Sequence, residues 1–578
     1  MKRIVKFLRI GVSAALFAAM AIVPAAAQEQ PDGTVIQGNF GGDVITMNPI
    51  YVDDAVSAQL VRMLNIGFLG VDPNTAMFAP NQPGALVQNW DTSADGTVYT
   101  FHLRNDLTWT DEMPITSAAV MYTWQAIQTA AENEVNQPFA AVIDSSRKTG
   151  ILDVQAPDDY TVVVTFATAH CTALRYASAL VPVPAHVLPD DLSELINAPY
   201  TLEPTVTSGA FRFAQYAPGE YVSLFSNPDY ADAAGDAVQP GAFIYANVVD
   251  DNAAVDQFLA GGSNLIDNPL PSRRDEIRAS GAQVHLYPGN RWDYLAFNQA
   301  DPTDPQNGLD PSGNVIDQGH HPIFGDVQVR QAIAHAIDVQ SIINATLSGE
   351  GTRMTSNLMP SSWAYNQNLP PIGYDPALAS QMLNQAGWID DDNDPATPRV
   401  ARGARYAPDG TPFVFTLYTD QGNTRHITAG TMIRDELAQI GIQVDLQPID
   451  FQTLVDIARQ QTFDAYLLGW QNGYPDDPDQ TQLFTPQSDV IAGGSNFTSF
   501  NNPQVTDLIN QANSVPGCQP ADRAPIYARI QELMQQEVPY VWLFAINGMY
   551  AVGPNIQGFD PQPANYLWNS STWLVSTP

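Results

Sequence analysis

The sequence predicts an α/β protein of at least two lobes, on three observations. The chain runs to 578 residues, and a single hydrophobic core usually stops growing near about 250 to 300 residues. Hydrophobic residues make up 44% of it, with 10 Trp, 22 Tyr and 24 Phe, which separates it from disordered chains. Between Pro412 and Trp470, strand-like and helix-like periodicities alternate, as in a parallel sheet covered by helices.

Taken in order, the chain opens with MKRIVKFLRIGVSAALFAAMAIVPAAAQEQ. Lys2, Arg3, Lys6 and Arg9 precede an apolar run ending in Ala25-Ala26-Ala27, the build of a signal peptide over residues 1–27, cut before Gln28. No cysteine follows the cut, so no lipid anchor is expected. No later segment has the roughly 18 uninterrupted apolar residues of a membrane span. The expected place is periplasmic or extracellular, in solution. Without the four basic residues of the leader, 20 Lys and Arg stand against 61 Asp and Glu, a formal charge of −41. A polyanion of this kind repels nucleic acid and anionic lipid, so binding through backbone phosphates is close to excluded.

TVYTFHLRNDLTWTD (Thr97 to Asp111) and YTVVVTFATA (Tyr160 to Ala169) read as strands of one sheet, and FRFAQYAPGEYVSLFSN as a hairpin turning at Pro218-Gly219. Asp326 can cap a helix whose apolar stripe, Val329, Ile333, Ala336, Ile337 and Ile343, ends near Gly349. Phe413 to Thr419 is strand-like. Ile427, Ile433, Leu437 and Ile440 then follow at helical spacing up to Gly441, Ile442 to Pro448 alternates, Phe451 to Gln461 reads as a helix, and Phe463 to Trp470 closes a β-α-β-α-β unit. Such connections make right-handed crossovers, and ligands of open sheets gather at the carboxyl ends of strands. Two loops qualify: Asp420 to His426, and the Gly/Pro-punctuated loop after Gly469-Trp470.

Cys171 and Cys518 are the only cysteines. Their compartment permits a disulfide, but sequence does not give the separation that a bridge requires. No G-x-S-x-G elbow, H-E-x-x-H helix or P-loop is present, so no catalytic residue, metal or cofactor is called. Asp390, Asp392 and Asp394 alternate like the first ligands of a calcium loop, yet Pro395 stands where that loop needs glycine and Ala401 where it needs an acid, which favours a solvated turn. His320-His321 reads as a surface loop in preference to a metal site. Trp470 and Tyr474 can supply an apolar wall, and Asp476 and Asp477 polar partners, for a small ligand; the alternative is a Trp packed in the core with the acids facing water.

Several segments carry a resemblance: WDTSADGTVYTFHLRNDLTWTDEMPITSAAVMYTW, SGAFRFAQYAPGEYVSLFSNPDY, YLAFNQ, HPIFGDVQVRQAIAHAID and QMLNQAGW. With them the chain resembles the family 5 extracellular solute-binding proteins of ABC importers, the dipeptide, oligopeptide and nickel-binding group. The resemblance implies a two-lobed clamshell of the type II periplasmic-binding-protein kind, with an extra subdomain in the first lobe. It divides the chain into lobe I at 28–66 and 181–270, an inserted subdomain at 67–180, lobe II at 271–500 and a lobe I C-terminal segment at 501–578. It implies no enzyme, but a receptor that captures a solute, a peptide first of all, and delivers it to permease subunits with their cytoplasmic ATPase; a monomer is expected. The ligand-binding residues it points to are Trp470, Gln471, Asn472, Gly473, Tyr474, Asp476 and Asp477, with Arg425 for a ligand carboxylate and Trp363 and Tyr365 as further wall residues. In peptide-binding relatives, the resemblance implies, an aspartate at the position of Gly473 meets the ligand's ammonium, so here either Asp476 or Asp477 supplies the charge or the ligand lacks a free amine. The runner-up is a same-fold receptor for an oligosaccharide, an opine-like compound or a metal chelate; a secreted hydrolase is the rival from another class.

Overall fold

The computed structural model describes residues 33–39, 43–52, 54–132, 150–232, 240–248, 250–287, 289–473, 477–562 and 565–576. The signal-peptide reading of residues 1–27 lies outside them, as do Tyr474 and Asp476. No helix among the described residues is long and apolar enough to cross a membrane.

The β-α-β-α-β unit forms where its periodicity places it. Strand Val414–Asp420 lies parallel to both Gln443–Ile449 and Ala465–Gln471, with helices Thr424–Ala438 and Phe451–Gln460 between them. Asn423 caps the first helix by accepting from the His426 amide, and Asp450 caps the second by accepting from that of Thr453, satisfying amides that have no partner inside a helix. This unit is one half of a six-stranded sheet, in spatial order Gly351–Arg353, Tyr540–Ile546, Arg291–Phe297, Ala465–Gln471, Val414–Asp420, Gln443–Ile449.

Alternation along Arg291–Phe297 shows why this sheet is covered on both faces. Leu295 and Phe297 enter one core with the helices around Ile333, Ile342 and Ile433. Trp292, Tyr294 and Ala296 enter another with Leu454, Ile509, Tyr527 and Ile530. A strand buried on both faces has no polar side to show.

The second large sheet has seven strands, in the order Gln283–Tyr287, Gly548–Val552, Leu265–Asp267, Thr34–Asn39, Ala242–Asn247, Tyr221–Ser226, Phe211–Ala217. Its centre, Thr34–Asn39, is parallel to Ala242–Asn247 and to Leu265–Asp267, and the expected hairpin at Pro218-Gly219 forms its edge. The Thr97 to Asp111 and Tyr160 to Ala169 segments contribute paired antiparallel strands, Val98–Leu103 and Thr161–Phe166, to a separate four-stranded sheet with its own core.

Two expectations change. The apolar stripe from Asp326 is two helices, Val327–Ala336 and Val339–Leu347, broken at Ile337 because Asp338 caps the second by accepting from the Ser341 amide while its own amide bonds Glu436. The chain passes between the two large sheets at Tyr287 to Arg291 and at Ile546 to Gly548. Residues 271–287 therefore end in the seven-stranded sheet, and 501–546, assigned to the first lobe from sequence, pack on the six-stranded one through helices Pro503–Asn513 and Pro520–Glu537 and strand Tyr540–Ile546. The apolar faces of Val505, Ile509, Tyr527 and Ile530 have their partners there and not on the other sheet.

Arg330, in the VRQAI segment, is buried and serves the fold. It donates to the carbonyls of Phe324, Glu537 and Val538, and burial lowers its pKa to about 10. Cys171 and Cys518 are joined as a disulfide.

Candidate functional site

The carboxyl ends of three parallel strands, Thr34–Asn39, Ala242–Asn247 and Leu265–Asp267, open onto a cavity of about 370 Å³. From the other sheet the end of Ala465–Gln471 reaches the same space with Gln471, Asn472 and Gly473, and the connecting segment adds Gly289, Asn290 and Arg291. The cavity thus lies between the two sheets, beside the two places where the chain crosses. It falls within the size range of small-molecule sites.

Its lining is rich in amides and phenols. Gln37, Asn39, Gln59, Asn268, Asn290 and Asn565 carry donor and acceptor on one side chain, and Tyr245, Tyr287, Tyr550 and Tyr566 add ring faces. Tyr287 and Tyr550 stack with centroids 4.1 Å apart, and Tyr550 and Tyr566 lie 4.6 Å apart. Asp267, at the end of its strand, accepts a hydrogen bond from the Tyr287 hydroxyl at 3.3 Å. Burial pushes its pKa up to about 6, against the pull of Arg291 and Arg274.

The sequence-predicted residues divide. Gln471, Asn472 and Gly473 line this cavity. Asn472 is fixed by accepting from the Trp292 indole at 2.8 Å and donating to the Asn357 carbonyl at 3.1 Å, and its amide bonds the Asn290 carbonyl. Gln471 accepts from Arg291 Nε at 3.0 Å. A side chain at Gly473 would collide with the Arg175 guanidinium, 2.5 Å from where a Cβ would stand. The position at which the resemblance leads one to expect an acid is thus a glycine with a guanidinium close by.

Trp470 turns the other way. It is partly buried against the core and stacks on Phe497 at 6.1 Å, so it lines neither cavity described here. Asp477 and Trp363 belong to a second cavity, of about 690 Å³, between the four-stranded subdomain and the helices Pro503–Asn513 and Pro520–Glu537. There Arg523 lies 5.4 Å over the Trp363 ring, and burial, then Asp479, pushes Asp477 up to about 6. Tyr365 accepts from the Thr355 hydroxyl and packs against the core.

Arg425 lines neither of these two cavities. Its Nε donates to buried Asp293 at 2.7 Å, and His426 sits 3.2 Å from the same carboxylate. The charge that suggested a carboxylate partner is neutralised inside the fold. His321 is likewise structural: it is buried, pairs with Asp464 at 3.1 Å, and its Nδ1 accepts from the amides of Ile323 and Phe324. Asp392 and Asp394 close an exposed turn with Thr397 and Ala396. No group of three metal-ligating side chains occurs among the described residues.

Sequence reasoning missed the whole half of the cleft formed by the seven-stranded sheet: Gln37, Asn39, Tyr245, Asp267, Tyr287, Tyr550 and Tyr566. Val35 and Gln37 share one face of their strand, yet the parallel partners of that strand are more than 200 residues away, and only the pairing reveals which strand ends coincide.

The profile of the bacterial extracellular solute-binding proteins, family 5 (middle), matches residues 82–490. The oligopeptide-binding protein AppA of Bacillus subtilis is 24% identical over 561 residues, covering 95% of this chain and 93% of its own. Among solved structures, AppA of Bacillus subtilis in complex with a nonapeptide superposes with a TM-score of 0.72 at 23% identity, over 95% of this chain and 100% of that one. NikA of Brucella suis in complex with Fe(III)-EDTA gives 0.75 at 19% identity, over 94% and 100%. These structural likenesses establish a shared fold, that of a two-lobed type II clamshell.

Proposed function

Because the chain belongs to the bacterial extracellular solute-binding proteins of family 5, we propose that it is the receptor of an ABC importer, which closes two lobes over a small peptide-like solute and hands it to membrane permease subunits driven by a cytoplasmic ATPase. The reading takes residues 1–27 as an export signal and the mature chain as a monomer. The lobes are taken as 33–287 with 548–576, and 291–546, the insertion at 67–180 belonging to the first.

One observation supports this reading above the others: strand ends from both sheets, with the two chain crossings at their side, enclose one polar cavity. Hinged closure about such crossings is the way two-lobed receptors couple binding to shape. Amide side chains suit a peptide backbone, whose N–H and C=O alternate, and they tolerate varied side chains. No covalent step is called for.

Gly473 favours a second reading within the same fold. With Arg175 over that position and no carboxylate on it, the guest meets this loop without an ammonium there, which fits a non-peptide solute or a peptide bound in another direction. Mass spectrometry of solute released by denaturing the purified protein tests both. Masses of short peptides are expected. A homogeneous non-peptide mass would establish the second reading, and turnover of a peptide or glycan by the pure protein would overturn the receptor reading.

A further inference from the structure

Asp267 is an unusual group for its place. Its carboxylate accepts one hydrogen bond from a side chain among the described residues, from Tyr287 at 3.3 Å, although an ionised carboxylate has about four acceptor positions. The guanidinium of Arg274 is engaged elsewhere, with the carbonyls of Pro269 and Asn547, Asn268 Oδ1 and Glu350. Arg291 donates its Nε to Gln471. Tyr566 directs its hydroxyl to Gln37 and Gln59. Around the carboxylate stand four ring systems, Tyr245, Tyr287, Tyr550 and Tyr566, with Tyr287 stacked on Tyr550 and Tyr566 tilted against it, and an open cavity whose charged lining is completed by Arg62 and Arg291.

Removing a carboxylate from water without a partner is costly, and a π-face carries negative potential that attracts cations. A negative group at the foot of an aromatic wall, open on one side, is complementary to a positively charged group that can shed part of its water. Resting on the reading of this cleft as the solute site, we infer that Asp267 with Tyr245, Tyr287, Tyr550 and Tyr566 forms a subsite for a cationic group of the guest, an ammonium or guanidinium. The subsite lies on the opposite lobe from the Trp470 loop. It supplies the positive-charge recognition that Gly473 does not, and it touches the crossing segment through Tyr287, so that filling it engages the hinge.

The raised pKa of Asp267 agrees with this: burial disfavours its charged form despite Arg291 and Arg274 on one side, with the four phenols on the others. An arriving cation repays that cost, and protonation below about pH 6 removes its partner.

The test uses the full mature chain, stripped of retained solute by unfolding and refolding with its disulfide intact, and benzylammonium as the probe, with benzyl alcohol as its uncharged counterpart. At pH 7.5 and 10 mM probe, benzylammonium is expected to raise the unfolding midpoint by about 1 to 2 °C, the mass-action effect of millimolar affinity, and benzyl alcohol to leave it unchanged. The shift should vanish at pH 5 and in Asp267→Asn. The pH comparison needs no Asp267 variant, and it is read beside Asp477→Asn, which removes the carboxyl of the other cavity whose pKa is also raised to about 6. A benzylammonium shift that is kept in Asp477→Asn and lost at pH 5 supports Asp267 even if Asp267→Asn folds poorly. A shift lost in Asp477→Asn overturns the subsite. Equal shifts from both probes, no shift, or a benzylammonium shift that survives Asp267→Asn overturns the subsite. If that happens while the protein as purified still carries a solute detected by mass spectrometry, the cation subsite alone is lost. If no solute is carried either, the receptor reading falls with it.

Discussion

Asp293 illustrates how a residue near a predicted ligand loop can belong wholly to the fold. It is 2% exposed and held between Arg425 and His426. Burial alone would raise its pKa, but hydrogen bonds and charge from His426 and Arg425 hold it below the usual carboxylate range. Burial likewise opposes the charged form of His426, yet Asp293 and Asp420 raise its pKa above 6.5. The two groups give stability in opposite directions of pH. The contribution of His426, whose folded pKa is raised, is complete below about 6.5 and is lost as pH climbs through the folded value. That of Asp293, whose folded pKa is depressed, is complete above about 3.9 and is lost as pH falls through the folded value. Replacing Asp293 by Asn takes the carboxylate from Arg425 and leaves His426 with Asp420 alone, and should cost about 3 to 5 kcal/mol. Denaturant unfolding at several pH values checks this: the gap between the two proteins should be widest between about pH 4 and 6.5, and a pH-independent gap would show that the triad does not titrate as a unit.

At the scale of elements, the crossings between the sheets are built for close approach. A Cβ on Gly289 would stand 2.0 Å from the Ile546 carbonyl oxygen, and one on Gly548 would stand 1.9 Å from the Tyr287 ring. The first clash is with backbone and cannot be relieved by a rotamer, so Gly289→Ala should destabilise the protein by more than about 2 kcal/mol and weaken solute binding together with stability. Gly219, at the hairpin turn, has φ +75°, and a Cβ added there would meet nothing within 4 Å. Its alanine variant should cost only the roughly 1 kcal/mol of a left-handed residue and leave binding alone. Calorimetry on both variants separates the two effects; equal losses of affinity would remove the crossing from the binding mechanism. Gly219 was marked in the sequence by its hairpin, but neither Gly289 nor Gly548 is distinguished there. Local elements were legible because caps and periodicity lie within a few residues of each other: Asp326 caps its helix and Gly441 follows the end of its own as read. The break at Asp338 was not, because Glu436, which receives its amide, is 98 residues away. The same reason hid half of the cleft, where Asp267 meets Tyr550 and Tyr566 across almost 300 residues, while the loop of Gln471, Asn472 and Gly473, which lines the cavity, was marked by its place at a strand's carboxyl end and by the family resemblance.

For the whole molecule the decisive feature is the third covalent tie between its halves. The two crossings join the sheets beside the amide-lined cleft. The disulfide joins them again elsewhere: Cys171 follows the four-stranded subdomain, Cys518 lies between two helices packed on the six-stranded sheet, and both line the larger cavity. A hydrogen bond from the Cys171 amide to the Asn513 carbonyl at 2.8 Å runs beside it. Rotation about the crossings would have to part these segments, and the bridge limits how far they go. Reducing it, or changing both cysteines to serine, therefore has two consequences. Closing a loop of 347 residues restricts the unfolded chain, so its loss should cost about 2 to 5 kcal/mol of stability. Freed of the tie, the solute-free protein should also open wider, with a larger radius of gyration in small-angle scattering and faster release of bound solute in a chase experiment. A double-serine variant that is less stable but unchanged in scattering and release would mean that the lobes are held by their noncovalent contacts alone, and that the bridge acts only on the unfolded chain.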